Sequence, residues 1–471
     1  MTIAIWAVAA YSIVATTTHI GSILIAMSRC RKPKSASRPA KSETALGLVG
    51  LTRYLRRTGL RAQRSGHCAS APSDVVGVSL VRPVCGMENH IEETLRSAFH
   101  LDYPRYEVIF CAASANDAAA PLVRRLIAAH PHVPARLLIG NETVSDNPKL
   151  NNVCKGWRAA AYDWIVMADS NVLMPRDYIE RLRAAWRPDT GVVSSPPAGC
   201  RPQGFWAELE CAFLNTHQLR WQYTASAIGF GFAQGKSMLY RRSQIERAGG
   251  IRLLATEPAE DAATTKLVRD LGLRVRLVDA PFEQPLGYRS AGEVWARQLR
   301  WAQLRQASFR QYYALELLAG SLAPLTAAAY VVAALGLPLG SVIAVAAVWY
   351  GAEAALARAA GWHFSLRSPA AFILRDILLP LLWIGGCLGR GFVWRGNEMR
   401  PEESDGRVSL SIRSSPRGAP RDDRVAGTPL RGPRVMVSGP WIPVISAFTR
   451  VFDALCAGMN GVCCKTRRRR G

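Results

Sequence analysis

Residues 164–171 read WIVMADSN: a short apolar run stops at an acid, Asp169, which Ser170 and Asn171 follow. A run this short and this apolar suits a strand buried on both faces. The pattern recurs on either side. VVGVSLVRPV (75–84), YEVIFCAAS (106–114), ARLLIG (135–140) and GVVSSPP (191–197) read as strands. MENHIEETLRSAF (87–99) and DAAAPLVRRLIAAH (117–130) between them carry helical periodicity. Strands alternating with helices predict an α/β fold, a mostly parallel sheet with helices flanking it. Ligands bind such sheets outside the carboxyl ends of the strands, so polar residues there are the place to look for chemistry.

Three acidic positions satisfy that rule. Asp117 follows the second strand, Asp169 ends the WIVMA run, and Glu260 with Asp261 opens the helix of EPAEDAATTKLV. Taken singly, Asp117 and Asp261 also suit helix N-termini and Asp169 suits a turn. Asn147-Pro148-Lys149 reads equally as a helix start and as a ligand contact through Lys149 and Asn151. No GxGxxG follows the first strand, and no GxxxxGK[ST], HExxH or GxSxG is present. A phosphate-bearing ligand would therefore be held by a metal and by Arg or Lys.

The flanks belong to a different environment. Ile3–Met27 is apolar and long enough to span a hydrocarbon core of about 30 Å. Eleven Lys or Arg and one Glu follow between Arg29 and Arg64, the pattern of a cytoplasmic flank. Further apolar runs cover about 313–335, 338–360 and 370–393; the last holds Arg375 and Asp376, which must lie at an interface, re-enter, or pair inside the bundle. The expected organisation is an anchor (1–28), a basic linker (29–73), a cytosolic catalytic domain (74–308), membrane or interfacial helices (309–396) and a disordered basic tail (397–471). The adjacent Cys463 and Cys464 could be acylated or incidental. A net charge of +24 demands an anionic partner. Its densest clusters flank apolar spans and no nucleic-acid motif occurs, so a lipid surface is expected and nucleic acid is not.

Taken together, VSLVRPVCGMENHIEETLRSAF, LDYPRYEVIFCAA, NPKLNNVCKGWRAAAYDWIVMADSNV, the later AED and RQLRW resemble the ceramide glucosyltransferase family, glycosyltransferase family 21, inverting enzymes of GT-A fold. The likeness runs from about Val75 to Trp394. It implies a site of three separated aspartates, Asp117, Asp169 and Asp261, and an (Q/R)xxRW motif at Arg297, Arg300 and Trp301. It also implies a histidine near the acceptor, at His217, which on its own would be read as structural. Asp117 would contact uridine and ribose. Asp169 would carry a divalent Mn2+ or Mg2+ ion, although Asp169-Ser170-Asn171 lacks the second acid of Asp-x-Asp. Asp261, with Glu260 as runner-up, would be the base, since inversion needs the acceptor hydroxyl deprotonated as it attacks.

The activity so implied is hexose transfer from a UDP-sugar to a lipid hydroxyl by an integral, multi-pass membrane protein. Ceramide with UDP-glucose leads; a hopanoid or other lipid with UDP-N-acetylglucosamine is the alternative, and a silent membrane scaffold the contrast from another class. In EVWARQLRWAQLRQ (293–306), Arg297, Arg300 and Trp301 share one helical face, while Trp295, Arg305 and Gln306 read as an interfacial collar. On this reading Arg300→Ala cripples turnover in a lipid-glycosylation assay and Arg305→Ala barely alters it.

Overall fold

The computed structural model describes residues 2–30 and 75–389 apart from Asp146, with the backbone of Phe392–Trp394 and Asn397–Met399, which pair antiparallel. The expected basic linker, most of the tail and Cys463–Cys464 lie outside the described residues. Those described fall within one compact unit, Met1–Ser404.

The α/β expectation is met. Strands β1 (Val78–Val84), β2 (Tyr106–Ala112), β3 (Ala135–Ile139), β4 (Trp164–Ala168), β5 (Thr190–Ser195), β7 (Ser237–Arg241) and β8 (Arg274–Leu277) form one sheet in the order β3-β2-β1-β4-β7-β5-β8. β6 (Ala198–Gln203) and β9 (Glu283–Tyr288) pair separately. Every neighbour pair in the large sheet is parallel except the two made by β7, which runs antiparallel between β4 and β5. The sheet is covered on both sides, as its unbroken apolar strands require. Leu80, Val108, Phe110 and Val166 face one core; Val81, Ile109, Ile165 and Trp157 face the other. Helices α2 (Ala120–Ala129) and α3 (Pro148–Ala159) supply opposite layers. The strand order reverses at β1, with β2 on one side and β4 on the other, so a crevice opens at their carboxyl ends.

After β6 the chain forms α4 (Phe205–Cys211), a π-helical segment at Ala212–Leu219 and α5 (Arg220–Ala227); α6 (Glu260–Asp270) and α7 (Ala291–Ser308) follow. The N-terminal α1 (Thr2–Cys30) packs against α5, α8 (Leu322–Ala334) and α9 (Gly340–Ala359). With α10 (Ser368–Leu388), α1 and α9 are long and apolar enough to cross a membrane; Arg310–Leu318 and α8, bent by 41°, would make a fourth span if taken as one. At its inner end α1 is tied to the sheet: Ala280 N–H donates to the Arg29 carbonyl (2.8 Å) and the Arg29 guanidinium to the Leu277 carbonyl (3.0 Å).

The charged pair in the last apolar run is resolved by burial inside the bundle. Arg375 lies in α10 with both guanidinium ends on Glu353 of α9 (2.8 and 2.9 Å), its Nε–H on Asp376 (2.9 Å), and a further N–H on the Thr216 hydroxyl (2.8 Å). All three charged side chains are at most 1% exposed. Breaking such a pair leaves carboxylates with no countercharge. Arg375→Met should therefore destabilise the chain by about 3–5 kcal/mol, read as a lowered thermal unfolding midpoint in detergent.

Candidate active site

The loops after β1, β2 and β4 meet at the crevice. Asp117 does not point freely into it: the Gly86 N–H, just past β1, donates to both carboxylate oxygens (3.0 and 3.2 Å), and Ala119 N–H donates to Oδ1 (2.8 Å). Gly86 has φ of +67°, a left-handed conformation that a side chain disfavours, so glycine is what lets this turn reach across.

Asp169 is positioned from below by a residue that the sequence reading left inside a strand. Arg82 is fully buried in β1 and donates to the carbonyls of Asp169 (3.0 Å), Ser170 (3.2 Å), Val172 (3.0 Å) and Thr94 (2.7 Å). One guanidinium thus organises the whole turn after β4. Its burial, partly offset by Tyr178 and Asp169, brings its pKa down to about 10.

Around the Asp169 carboxylate stand two ammonium groups. Lys149 Nζ lies 2.6 Å from Oδ1 and Lys236 Nζ 2.9 Å from Oδ2. Lys149 also reaches Glu260 Oε1 (2.5 Å) and donates to the Gly235 carbonyl (2.6 Å). Burial alone would raise the Asp169 pKa, but the two lysines outweigh it and hold the carboxyl well below its usual range. Burial disfavours charge on Lys149 too, and is outweighed by Asp169 and Glu260, which raise its pKa.

Asn147 caps α3, accepting from Lys149 N–H (2.9 Å) and Leu150 N–H (3.2 Å), and its amide donates to Glu260 Oε2 (2.8 Å). The helix-start reading of Asn147-Pro148 therefore holds, while Lys149 meets the acids. Asn151 is turned away: it binds the backbone of Val144 and Ser145 and shapes that loop.

Asp261 sits in the first turn of α6, accepting from the Gly235 N–H (2.8 Å) and from the Ala262 N–H (2.8 Å). Burial and the adjacent Glu260 charge push its pKa up to about 6. The structure thus draws Lys149, Asp169, Glu260 and Asp261 together, with Gly235 and Lys236 between them. Neither of these last two was singled out from sequence; the available signal was a QGK triplet opening the strand that pairs with β4.

The divalent ion implied at Asp169 does not fit these residues as they stand. Among the described residues no group of three or more His, Cys, Asp or Glu could hold a metal ion. An ion at Asp169 would have to displace the ammonium groups of Lys149 and Lys236, which already occupy both of its carboxylate oxygens.

The (Q/R)xxRW helix is α7, opened by a capping box between Ser290 and Glu293. Arg297 pairs with the fully buried Glu210 (2.9 Å), which Arg289 approaches as well (3.4 Å). Trp301 packs beside Cys211, Leu214 and Leu286, and Arg300 is half-buried on the same helix. The residues next in register face elsewhere: Gln298, Ala302 and Arg305 line a cavity with His217, Tyr313 and Trp383. Arg305 makes a two-pronged pair with Glu316 (2.7 and 3.0 Å). His217 projects from the π-helical segment, where arginines donate to two carbonyls: Arg220 to Thr216 O (2.7 Å) and Arg375 to Ala212 O (3.4 Å). Its Nδ1 is buried and has no hydrogen-bond partner among the described residues. Burial, then the charges of Arg375 and Arg220, lower its pKa, so the ring stays neutral.

The structure joins a strand-end cluster of acids and lysines in an α/β sheet to helices long and apolar enough to cross a membrane. The chain belongs to glycosyl transferase family 21, whose model matches residues 43–405. Ceramide glucosyltransferase 3 of Caenorhabditis elegans is 26% identical over 342 residues, 71% of this chain and 74% of that protein. The ceramide glucosyltransferase of Komagataella phaffii is 32% identical over 223 residues, 42% of this chain and 44% of that protein. Among solved structures, the mannosyltransferase PcManGT from Pyrobaculum calidifontis in complex with GDP-Man and Mn2+ aligns over 81% of this chain and 98% of its own, at 20% identity and TM-score 0.41.

Gly235 is where the cluster is tightest. A Cβ there would lie 2.7 Å from Glu260 Oε1 and 2.9 Å from Lys149 Nζ. Gly235→Ala should separate that ion pair and reduce turnover at least tenfold with membrane insertion unchanged, measured by product formation beside a flotation assay.

Proposed function

We propose that this chain transfers a hexose, with inversion, from a UDP-sugar to a lipid hydroxyl at the cytosolic face of a membrane, and that the pair is UDP-glucose and ceramide. The observation that carries the reading is the Asp261 carboxyl: half-buried, held by two backbone N–H groups, and beside the Lys149–Asp169 pair at the carboxyl end of β4. A carboxyl whose pKa is about 6 is ionised at neutral pH yet basic enough to take a proton in the transition state. In the step, the acceptor oxygen attacks the anomeric carbon, its proton passes to Asp261, and the bond to the diphosphate breaks with its electron pair leaving on the phosphate oxygen. Glu260 is held by Lys149 and Asn147, which makes it the weaker base and suits it to orienting Lys149. Asp117, set beside Gly86 at the ends of β1 and β2, is suited to the nucleoside.

The lipid reading rests on the family and on the span-length helices beside the site. A small cavity of about 20 Å³, room for about one water-sized group, lies between His217 and Leu379, Leu382 and Trp383 of α10. The His217 Nδ1, without a hydrogen-bond partner among the described residues, is available there to a lipid hydroxyl. Arg297 and Arg300 would act on the donor side of α7, Arg297 through Glu210.

Incubating the purified chain with UDP-glucose or UDP-N-acetylglucosamine and mixed lipids, then weighing the products by mass spectrometry, tests both identities. One hexose added to ceramide is expected; a polymer or no product would overturn the proposal. Asp261→Asn should lower kcat by about 10²–10⁴-fold. The wild-type rate should fall as pH drops through about 6, where Asp261 takes up its proton. Because the folded chain holds that proton more tightly than an unfolded one, ionised Asp261 opposes folding above that pH, so the Asn variant should unfold no more readily at neutral pH.

A further inference from the structure

We propose that Lys236 is the resident cation of the donor site and meets the departing diphosphate itself, at the position where the resemblance implied a divalent ion. The inference rests on the UDP-sugar reading above and deepens it.

The two lysines are not equivalent. Lys149 has three acceptors for its three N–H bonds, Asp169 at 2.6 Å, Glu260 at 2.5 Å and the Gly235 carbonyl at 2.6 Å. It is fully committed to holding the acids. Lys236 has two, Asp169 Oδ2 at 2.9 Å and Asn171 Oδ1 at 3.2 Å, and its third N–H finds no acceptor among the described residues. Its backbone is fixed across from the aspartate: Ser237 pairs with Ala168 in the β4–β7 register, and Asp169 N–H donates to the Lys236 carbonyl (3.0 Å). The ammonium is therefore preorganised, 15% exposed, and carries one spare donor.

Charge explains the missing second acid. Asp169 is shared by Lys149 and Lys236, and Asn171 accepts from Lys236 while its amide N–H donates to Glu88 Oε2 (3.2 Å). An aspartate at 171 would set a second carboxylate against Glu88, and a divalent ion at Asp169-Asn171 would have one carboxylate ligand from that pair instead of two. During transfer the C1–O bond to the diphosphate breaks, its electron pair stays on the phosphate oxygen, and the Lys236 ammonium donates a hydrogen bond to the developing charge while keeping its proton. The acceptor's proton goes to Asp261, so no further reactant is needed.

The test is UDP binding without turnover, by calorimetry on the full chain in detergent, with EDTA or with Mn2+. Wild-type protein should bind UDP in EDTA, and Mn2+ should change Kd by less than roughly threefold. Lys236→Met should weaken binding in EDTA by roughly 10–100-fold, the loss of one charge-assisted contact, while Lys236→Arg stays within a few-fold. Lys236→Met combined with Asn171→Asp should bind UDP again only when Mn2+ is supplied, a gain that damage to the fold cannot produce. Wild-type binding that requires Mn2+, or Lys236→Met binding like wild type, would overturn the inference and leave the donor reading standing. No UDP binding under either condition would overturn both.

Discussion

Everything at the candidate site hangs on where one ammonium group spends its three hydrogens. Lys149 reaches Asp169 at the end of β4, Glu260 at the start of α6 and the Gly235 carbonyl before β7. These segments are distant in the chain, and without Lys149 they would bring Asp169 and Glu260 together with only Lys236 as countercharge. In a low-dielectric crevice that arrangement is tolerable only if the acids are paired. Lys149 and Lys236 keep Asp169 ionised, Lys149 and Asn147 immobilise Glu260, and burial with the Glu260 charge raises the proton affinity of Asp261.

Buried guanidinium groups extend the same logic outward. Arg82 lies within β1 and gathers the carbonyls of the Asp169 turn. Arg220 and Arg375 donate to carbonyls of the π-helical segment, and so brace the stretch that carries His217. Arg375 is at the same time the centre of the ion pair inside the apolar bundle. The bundle and the segment carrying His217 are thus joined by hydrogen bonds rather than by apolar contact alone. Since α10 also supplies Leu382 and Trp383 to the His217 cavity, a shift of the bundle would be felt at the proposed acceptor wall.

Much of this was legible beforehand. Short apolar runs ending in polar residues located the strands and placed Asp117 and Asp169 past their carboxyl ends, a helix start held Glu260 and Asp261, and the long apolar stretches located α1, α9 and α10. What was not legible was partnership. Nothing in the motif helix announces that Arg297 pairs with the buried Glu210, or that Arg305 pairs with Glu316. Asn151 looked like a contact to ligand and folds a loop. Lys236 drew no attention because a lysine at a strand start is commonplace, and only the antiparallel insertion of β7 beside β4 brings it to Asp169.

The sequence by itself determined which segments are buried, because burial is written in local periodicity: unbroken apolar runs for two-sided strands, span-length apolar runs for the bundle, acids just past the strand ends. Tertiary structure alone decided which charge meets which. Asn147 and Glu260 are 113 positions apart and hydrogen-bonded, and no periodicity carries that information. Charge pairing in a buried site depends on desolvation and on a few ångströms of separation, and both are set by strand order after the chain has crossed the sheet.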